Sequence, residues 1–280
     1  MLTSVQDADE RFAFGKNWAA FLRGLDDQRI AEAEKSVRAL LGMQSLEGKT
    51  FLDIGSGSAL FSLVARRLGA CVYSFDFDKD AVNCGRTLRE RYFPDDENWS
   101  IQQGSILDSA FVQSLGRFDI VYSWGVLHHT GAMYQAIENA ASCVKPGGIF
   151  AIALYRKTLL CKFWKVEKKW YAGASERGQA IARSTFELMI RLAFWKNGRN
   201  FKDHVANYHS VRGMDYQRDL HDWLGGYPYE SITPQQTAAL MQRIGFAHVR
   251  SNLYPKYPHG LLGSGCDEFV YRRPEAAPAG

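Results

Sequence analysis

The stretch Thr50–Leu60, Thr-Phe-Leu-Asp-Ile-Gly-Ser-Gly-Ser-Ala-Leu, constrains the fold more than any other part of the chain. Thr50–Ile54 reads as a short buried strand and Ala59–Leu68 as a helix, with glycines at 55 and 57 between them. A glycine turn from strand to helix lets a ligand approach the backbone. In a parallel sheet such a turn lies at the binding crevice.

The same rhythm repeats downstream. Strands are expected at Cys71–Phe75, Trp99–Gln103, Phe118–Tyr122 and Ile149–Tyr155. Helices are expected at about Asp80–Tyr92, Ser109–Leu115 and Ala132–Val144, with a turn at Pro146-Gly147-Gly148. Strands alternating with helices give right-handed βαβ units and a parallel sheet. Ahead of them, residues 26–42 place Ile30, Ala33, Val37, Leu40 and Leu41 at helical spacing and end on Gly42, a good C-cap.

The alternation stops after Tyr155. Residues 156–230 are expected to be helical and hold 14 Lys/Arg against 8 Asp/Glu, so the chain's net +4 is concentrated there. The rhythm returns with a helix over Thr233–Ile244, carrying Pro234 in its first turn, and strands at His248–Tyr254 and Glu268–Arg272. The expected organisation is an N-terminal helical lid (1–48), an α/β core (49–155 and 231–273), a helical substrate cap (156–230) and a disordered tail (274–280).

Composition excludes several classes. A net charge of +4 does not imply a nucleic-acid partner. Five cysteines without a CxxC pair argue against disulfides and structural zinc, and no metal is expected. No run approaches the roughly 20 apolar residues of a membrane span, and the acidic start shows no leader, so a cytoplasmic location is expected. Lys162–Lys169, with Phe163 and Trp164 interleaved, reads as an amphipathic helix with a wet basic face; weak peripheral membrane contact is the other reading.

Two ligand classes compete for the glycine turn. A dinucleotide fingerprint wants a third small residue where Leu60 stands. Strand two ends in Asp76-Phe77-Asp78, and an acid at that position can accept hydrogen bonds from both ribose hydroxyls of an adenosine ligand. The run Asp76, Asp78, Asp80 is no calcium loop, because Ala81 and Thr87 stand where the glycine and the bidentate glutamate belong. Gln103-Gly104-Ser105-Ile106 follows strand three, and Ser123-Trp124-Gly125-Val126-Leu127-His128-His129 follows strand four.

These four segments, in this order, resemble the motifs of class I S-adenosylmethionine (SAM)-dependent methyltransferases. Phe14–Trp18, Ser123–Gly131 and Asp222–Pro228 further resemble a bacterial group often labelled ubiquinone-biosynthesis-like small-molecule methyltransferases. The resemblance implies a doubly wound, mostly parallel, seven-stranded Rossmann-like α/β sheet, with a helical N-terminal extension and a helical insertion after strand five. It implies SAM bound by Asp53, Gly55, Ser56, Gly57, Asp76, Phe77, Ser105, Ile106, Ser123 and Trp124, with Trp18 on a lid. Ser105 departs from the Asp that many members carry at that place.

His128 or His129 is expected to act as general base, His128 first. Tyr155, His209, Arg212, His221 and Tyr227 are the expected acceptor-binding residues. The implied function is methyl transfer to oxygen, nitrogen or carbon of a small molecule. RNA or protein methylation, and SAM sensing without transfer, are the alternatives. The absence of an Asn/Asp-Pro-Pro-aromatic segment after strand four, and of an RNA-binding module, argues against nucleic acid.

Overall fold

The computed structural model describes residues 22, 24–212, 216–254, 260, 263 and 265–275, without the side chains of 209–212 and 218. Residues 1–21 and 23 of the expected lid, with Trp18, therefore lie outside the described residues, as do 276–280 of the tail.

Seven strands form one sheet: β1 (Thr50–Ile54), β2 (Cys71–Asp76), β3 (Trp99–Gln103), β4 (Phe118–Trp124), β5 (Val144–Tyr155), β6 (Ala247–Asn252) and β7 (Cys266–Arg272). Their order is β3-β2-β1-β4-β5-β7-β6. The first five pair in parallel, and β7 runs antiparallel to both β5 and β6. The chain winds outward from β1 to β3 and then in the opposite direction from β4. The carboxyl ends of β1 and β4 therefore flank the switch-point crevice.

The helices are α1 (Asp27–Leu41), α2 (Leu60–Arg67), α3 (Lys79–Tyr92), α4 (Ser109–Leu115), α5 (Met133–Ser142), α6 (Cys161–Gly173), α7 (Glu176–Lys196), α8 (Phe201–Arg212), α9 (Tyr216–Gly225) and α10 (Pro234–Arg243). Their ends follow local chemistry. Asp26 caps α1 through the Arg29 N–H (2.9 Å), and Gly42 closes it at φ +68°. Thr233 and Gln236 form a reciprocal capping box at the start of α10.

Both faces of the central strands are covered, which explains the apolar runs of β4 and β5. Phe51, Ile120, Tyr122, Ile149 and Ala151 pack with α1 and α2 on one side. Leu52, Ile54, Val121, Phe150 and Ile152 pack with α5 and α10 on the other. Residues 27–41, inside the stretch read as a lid, thus bury Ile30, Val37 and Leu40 in this core.

Five strands have limits that differ from the sequence expectation: β2 ends one residue later, β6 is Ala247–Asn252 in place of His248–Tyr254, β7 starts at Cys266 in place of Glu268, and β4 and β5 differ as follows. β4 continues to Trp124, because Ser123 and Trp124 still pair with Ile152 and Ala153. β5 begins at Val144: the Pro146-Gly147-Gly148 turn is an irregularity inside the strand, where pairing jumps from Phe118↔Val144 to Ile120↔Ile149.

The chain divides into two compact units. One comprises Ala13–Lys157, Glu230–Lys256 and Gly265–Gly280, and contains the sheet. The other comprises Met1–Phe12, Thr158–Tyr229 and Tyr257–Ser264, and its described elements are α6–α9. Its core is aromatic: Phe186 stacks on Trp223 with ring centroids 4.9 Å apart, and Trp164 meets both edge-on. Lys168 is fully buried there, donating to the Trp223 carbonyl with its ammonium 3.9 Å from that indole. Burial holds the Lys168 ammonium below its ordinary value and pushes the neighbouring Glu167 carboxyl up.

Candidate active site

The glycine turn is built by backbone conformation. Gly55 and Gly57 sit at φ +71° and +54°, where side-chain-bearing residues are strained. A Cβ on Gly55 would lie 2.3 Å from Val126 Cγ1, so the turn after β1 presses against the segment after β4. The N–H groups of Gly55 and Ser56 donate to the Phe75 carbonyl (2.9 and 3.1 Å), tying the turn to β2. Ser123 Oγ donates to the Ile54 carbonyl (3.0 Å), tying it to β4.

Asp53 and Asp76 divide the acidic work. Asp53 is buried within the unit and accepts from Ser62 Oγ at 2.5 Å. Ser62 and Ser74 hydroxyls are 2.7 Å apart, and Trp99 Nε1 donates to Ser74 (3.1 Å), so the contact continues into the core. Burial pushes the Asp53 carboxyl up to about 7, opposed by Ser62 and reinforced by the charge of Asp76. Asp76 lies at the half-exposed end of β2. Its two oxygens accept from the Gly57 and Asp78 N–H groups, both at 2.9 Å. Burial pushes its carboxyl up to about 6 against the pull of those bonds.

Two features fit a ligand carrying hydroxyls. A carboxylate offers about four acceptor directions, and the Gly57, Asp78 and Phe77 N–H groups that favour the Asp76 carboxylate do not fill all of them. Ser56 Oγ is buried with no hydrogen-bond partner among the described residues, a condition that proteins rarely leave uncompensated.

The remaining predicted cofactor residues take varied positions. Phe77 is exposed, and Gln103 Nε2 donates to its carbonyl (3.0 Å). Ser105 Oγ accepts from the Leu107 N–H (3.2 Å), shaping the turn after β3. Ile106 is buried, and its carbonyl is held by Asn139 Nδ2 at 2.7 Å. Trp124 is 41% exposed, with Nε1 donating to Glu268 Oε1 at 2.8 Å. Trp18 lies outside the described residues.

After β4 a single 3-10 turn, Leu127–His129, presents the two imidazoles in different settings. His128 is completely buried, and its ring lies 4.0 Å from that of Tyr155. The Tyr155 N–H donates to His128 Nδ1 at 3.3 Å, which places the proton of the neutral ring on Nε2. His129 is half-buried and meets Tyr155 edge-on at 5.3 Å. Glu230 locks this turn from a distance: its N–H donates to the His128 carbonyl (3.0 Å), and its carboxylate accepts from the Met133 N–H (2.8 Å) at the start of α5.

The structure thus brings His128, His129 and Tyr155 together. His221 and Tyr227 belong to the helical unit. His221 Nδ1 meets the Tyr171 hydroxyl at 2.7 Å and Arg183 at 3.2 Å, and burial and Arg183 hold its pKa down. Tyr227 is buried, with the Lys169 ammonium 5.8 Å from its ring centre. The side chains of His209 and Arg212 lie outside the described residues. Glu230, Glu268 and Asn139 were missed by sequence reasoning. Each works on a segment remote in sequence, and no local motif marks them.

Comparison with known proteins identifies the class. Residues 45–206 match the family described as "Methyltransferase domain", and the chain belongs to that family. Its sheet order and glycine turn are those of a class I SAM-dependent methyltransferase, and SAM is the cofactor of that class. Among curated relatives, a ubiquinone biosynthesis O-methyltransferase from Methylobacterium sp. (strain 4-46) is 30% identical over 131 residues, covering 47% of this chain and 51% of the relative. One of the same name from Caulobacter vibrioides is 28% identical over 146 residues, covering 50% and 52%. The chain thus matches about half the length of these relatives. Among solved structures, SAM-bound magnesium protoporphyrin IX methyltransferase from Synechocystis PCC 6803 superposes with TM-score 0.55 at 12% identity, covering 97% of this chain and all of that one, a likeness of fold.

Proposed function

We propose that the protein methylates an oxygen or nitrogen of a small-molecule acceptor, with His129 taking the acceptor's proton. The carrying observation is the unequal pair after β4: His128 is sealed in the core with Nδ1 engaged by Tyr155, while His129 on the same turn reaches solvent. A base must reach the proton it removes. His128, the first choice from sequence, acts in this reading as the residue that positions the turn. The similarity to O-methyltransferases over half their length supports oxygen as the acceptor atom.

The cofactor, when bound, supplies a methyl group on a positively charged sulfonium. The chain's own residues do the rest. Asp76 offers its remaining acceptor capacity to a ribose, Gly55 and Gly57 let a ligand approach the backbone, and His129 holds the abstracted proton. Acceptor selection falls to the helical segment 158–229, where Tyr171, Arg183 and His221 form a polar cluster. Five cysteines without a CxxC pair, three of them buried, support a reducing, cytoplasmic setting.

The test pairs labelled SAM with a metabolite extract of the source cell and follows the product by mass. His129→Gln should lower turnover by about 10²–10⁴-fold, the usual worth of a general base, with SAM affinity unchanged. Full turnover in that variant would remove His129 from the chemistry.

A further inference from the structure

We propose that the helical unit docks on an anionic lipid bilayer through the outward faces of α6 and α7. Among the described residues, ten of the sixteen exposed large apolar side chains lie in 158–229, far beyond that segment's share of the chain. Such concentration marks an interaction surface, whereas scattered exposed apolar residues need no explanation.

The exposed residues fall in stripes. On α6, Phe163, Val166 and Trp170 recur at helical spacing, opposite the buried Trp164, Lys168 and Tyr171. Val166 is 72% exposed. On α7, Ile181, Leu188, Leu192 and Trp195 form a second stripe opposite the buried Phe186, and Trp195 is 80% exposed. The inner faces pack around Trp223, where Trp164 and Phe186 meet it.

Charge selects the occupant. Exposed Lys162, Lys165 and Lys169 edge the α6 stripe, and Arg177 and Lys196 stand at the two ends of α7. Exposed acid on these two helices is confined to Glu176, because Glu167 and Glu187 are turned inward or paired. An apolar stripe with indoles, bordered by bases and nearly free of acid, matches the boundary between acyl chains and anionic headgroups. Lysine stems can lie along the apolar layer while their ammonium groups reach phosphate. Among the described residues no helix is long and apolar enough to cross a membrane, so the contact proposed is one of lying on the surface. This inference does not depend on the identity of the methyl acceptor.

The experiment is flotation of the full chain with vesicles of phosphatidylcholine plus phosphatidylglycerol, against phosphatidylcholine alone. Expected is flotation with the mixed vesicles, weakened by salt, with a blue shift of tryptophan fluorescence. Lys162→Gln with Lys165→Gln should weaken partitioning roughly 25-fold, since each surface base is worth about fivefold. Val166→Ser with Trp195→Ser should abolish the fluorescence shift. Unchanged thermal melting and SAM affinity in both double variants would establish that they fold. Absence of flotation with mixed vesicles would overturn the proposal. So would a concentration-dependent dimer dispersed by Val166→Ser with Trp195→Ser, or binding of single-stranded RNA in place of vesicles.

Discussion

Binding of SAM should expel a proton near pH 6. Burial pushes the Asp76 carboxyl up to about 6, although the Asp78 and Gly57 N–H groups favour its ionised form. Ribose hydroxyls donating to its remaining acceptor capacity would favour that form further, so binding lowers the pKa and releases the proton. The sign follows: affinity rises with pH through about 6 and falls below it. At pH 6 the unliganded carboxyl is about half protonated, so about half a proton should leave; well below pH 6 the affinity should drop by nearly tenfold per pH unit. Asp53, pushed up to about 7 by burial and partly by Asp76, extends the release toward pH 7. Calorimetry in two buffers of different ionisation enthalpy measures the proton count directly. Asp76→Asn should weaken binding roughly 10–100-fold, the worth of hydrogen bonds to a charged group, and reduce the count at pH 6. Equal apparent enthalpies in both buffers, with an affinity flat from about pH 5.5 to 7.5, would refute the ribose assignment.

Three further outcomes follow from the same geometry. The folded pKa of Asp53, about 7, lies above its ordinary value of 3.8, so the fold favours the protonated form. Its contribution is fully present at pH values below 3.8 and is lost as pH rises through about 7, a difference on the order of 4 kcal/mol at about 1.4 kcal/mol per unit. Asp53→Asn should therefore gain stability relative to wild type between pH 4 and 8 in urea unfolding; parallel curves would contradict this. Gly55→Ala places a methyl 2.3 Å from Val126 at positive φ, costing about 1–3 kcal/mol for overpacking and 1–2 for backbone strain. Adding Val126→Ala should recover the packing part alone, as read from melting temperature. Arg156 grips buried Asp267 through two bonds of 2.8 and 2.6 Å, and Arg156→Met should cost about 3–5 kcal/mol by stranding that carboxylate. Arg156→Met with Asp267→Met should cost less, and a double variant as unstable as the single would show that the pair is not the cause.

What was legible in the sequence was what repeats. Phe51 with Leu52, Ile120–Tyr122 and Ile149–Leu154 are apolar on both faces because helices cover both, and those runs located the strands. Gly42 and Pro234 marked helix ends through local chemistry, whereas the caps at Asp26 and Thr233 emerged only in the structure. The start of β5 was misplaced because Pro146-Gly147-Gly148 has the chemistry of a chain reversal; the pairing of Val144 with Phe118, which makes it an interruption within one strand, is a long-range fact. Glu230 holds a turn about 100 residues away, and Glu268 holds Trp124 from β7. Neither contact leaves any periodicity for sequence reasoning to find.

Asp53 shows how a motif can be located correctly while its physics goes unread. As the acid before a glycine turn it looks like a ligand contact, yet its carboxylate is bonded to Ser62 inside the unit. A buried carboxyl near neutrality costs stability when ionised, and nothing in strand geometry requires it, since an amide could accept the same bond. Its use becomes clear beside Asp76, whose charge already perturbs it. Two carboxyls poised at about 7 and about 6, at the end of one crevice, form a reservoir of negative charge that a cation draws out on arrival. SAM is such a cation, and its sulfonium charge disappears once the methyl group has left. The product should then be held less tightly by these carboxyls than the donor, and the gap should narrow as pH falls below 6. If SAM and its demethylated product keep the same affinity ratio from about pH 5 to 8, Asp53 and Asp76 are not sensing charge, and the acid of β1 is a structural pin alone.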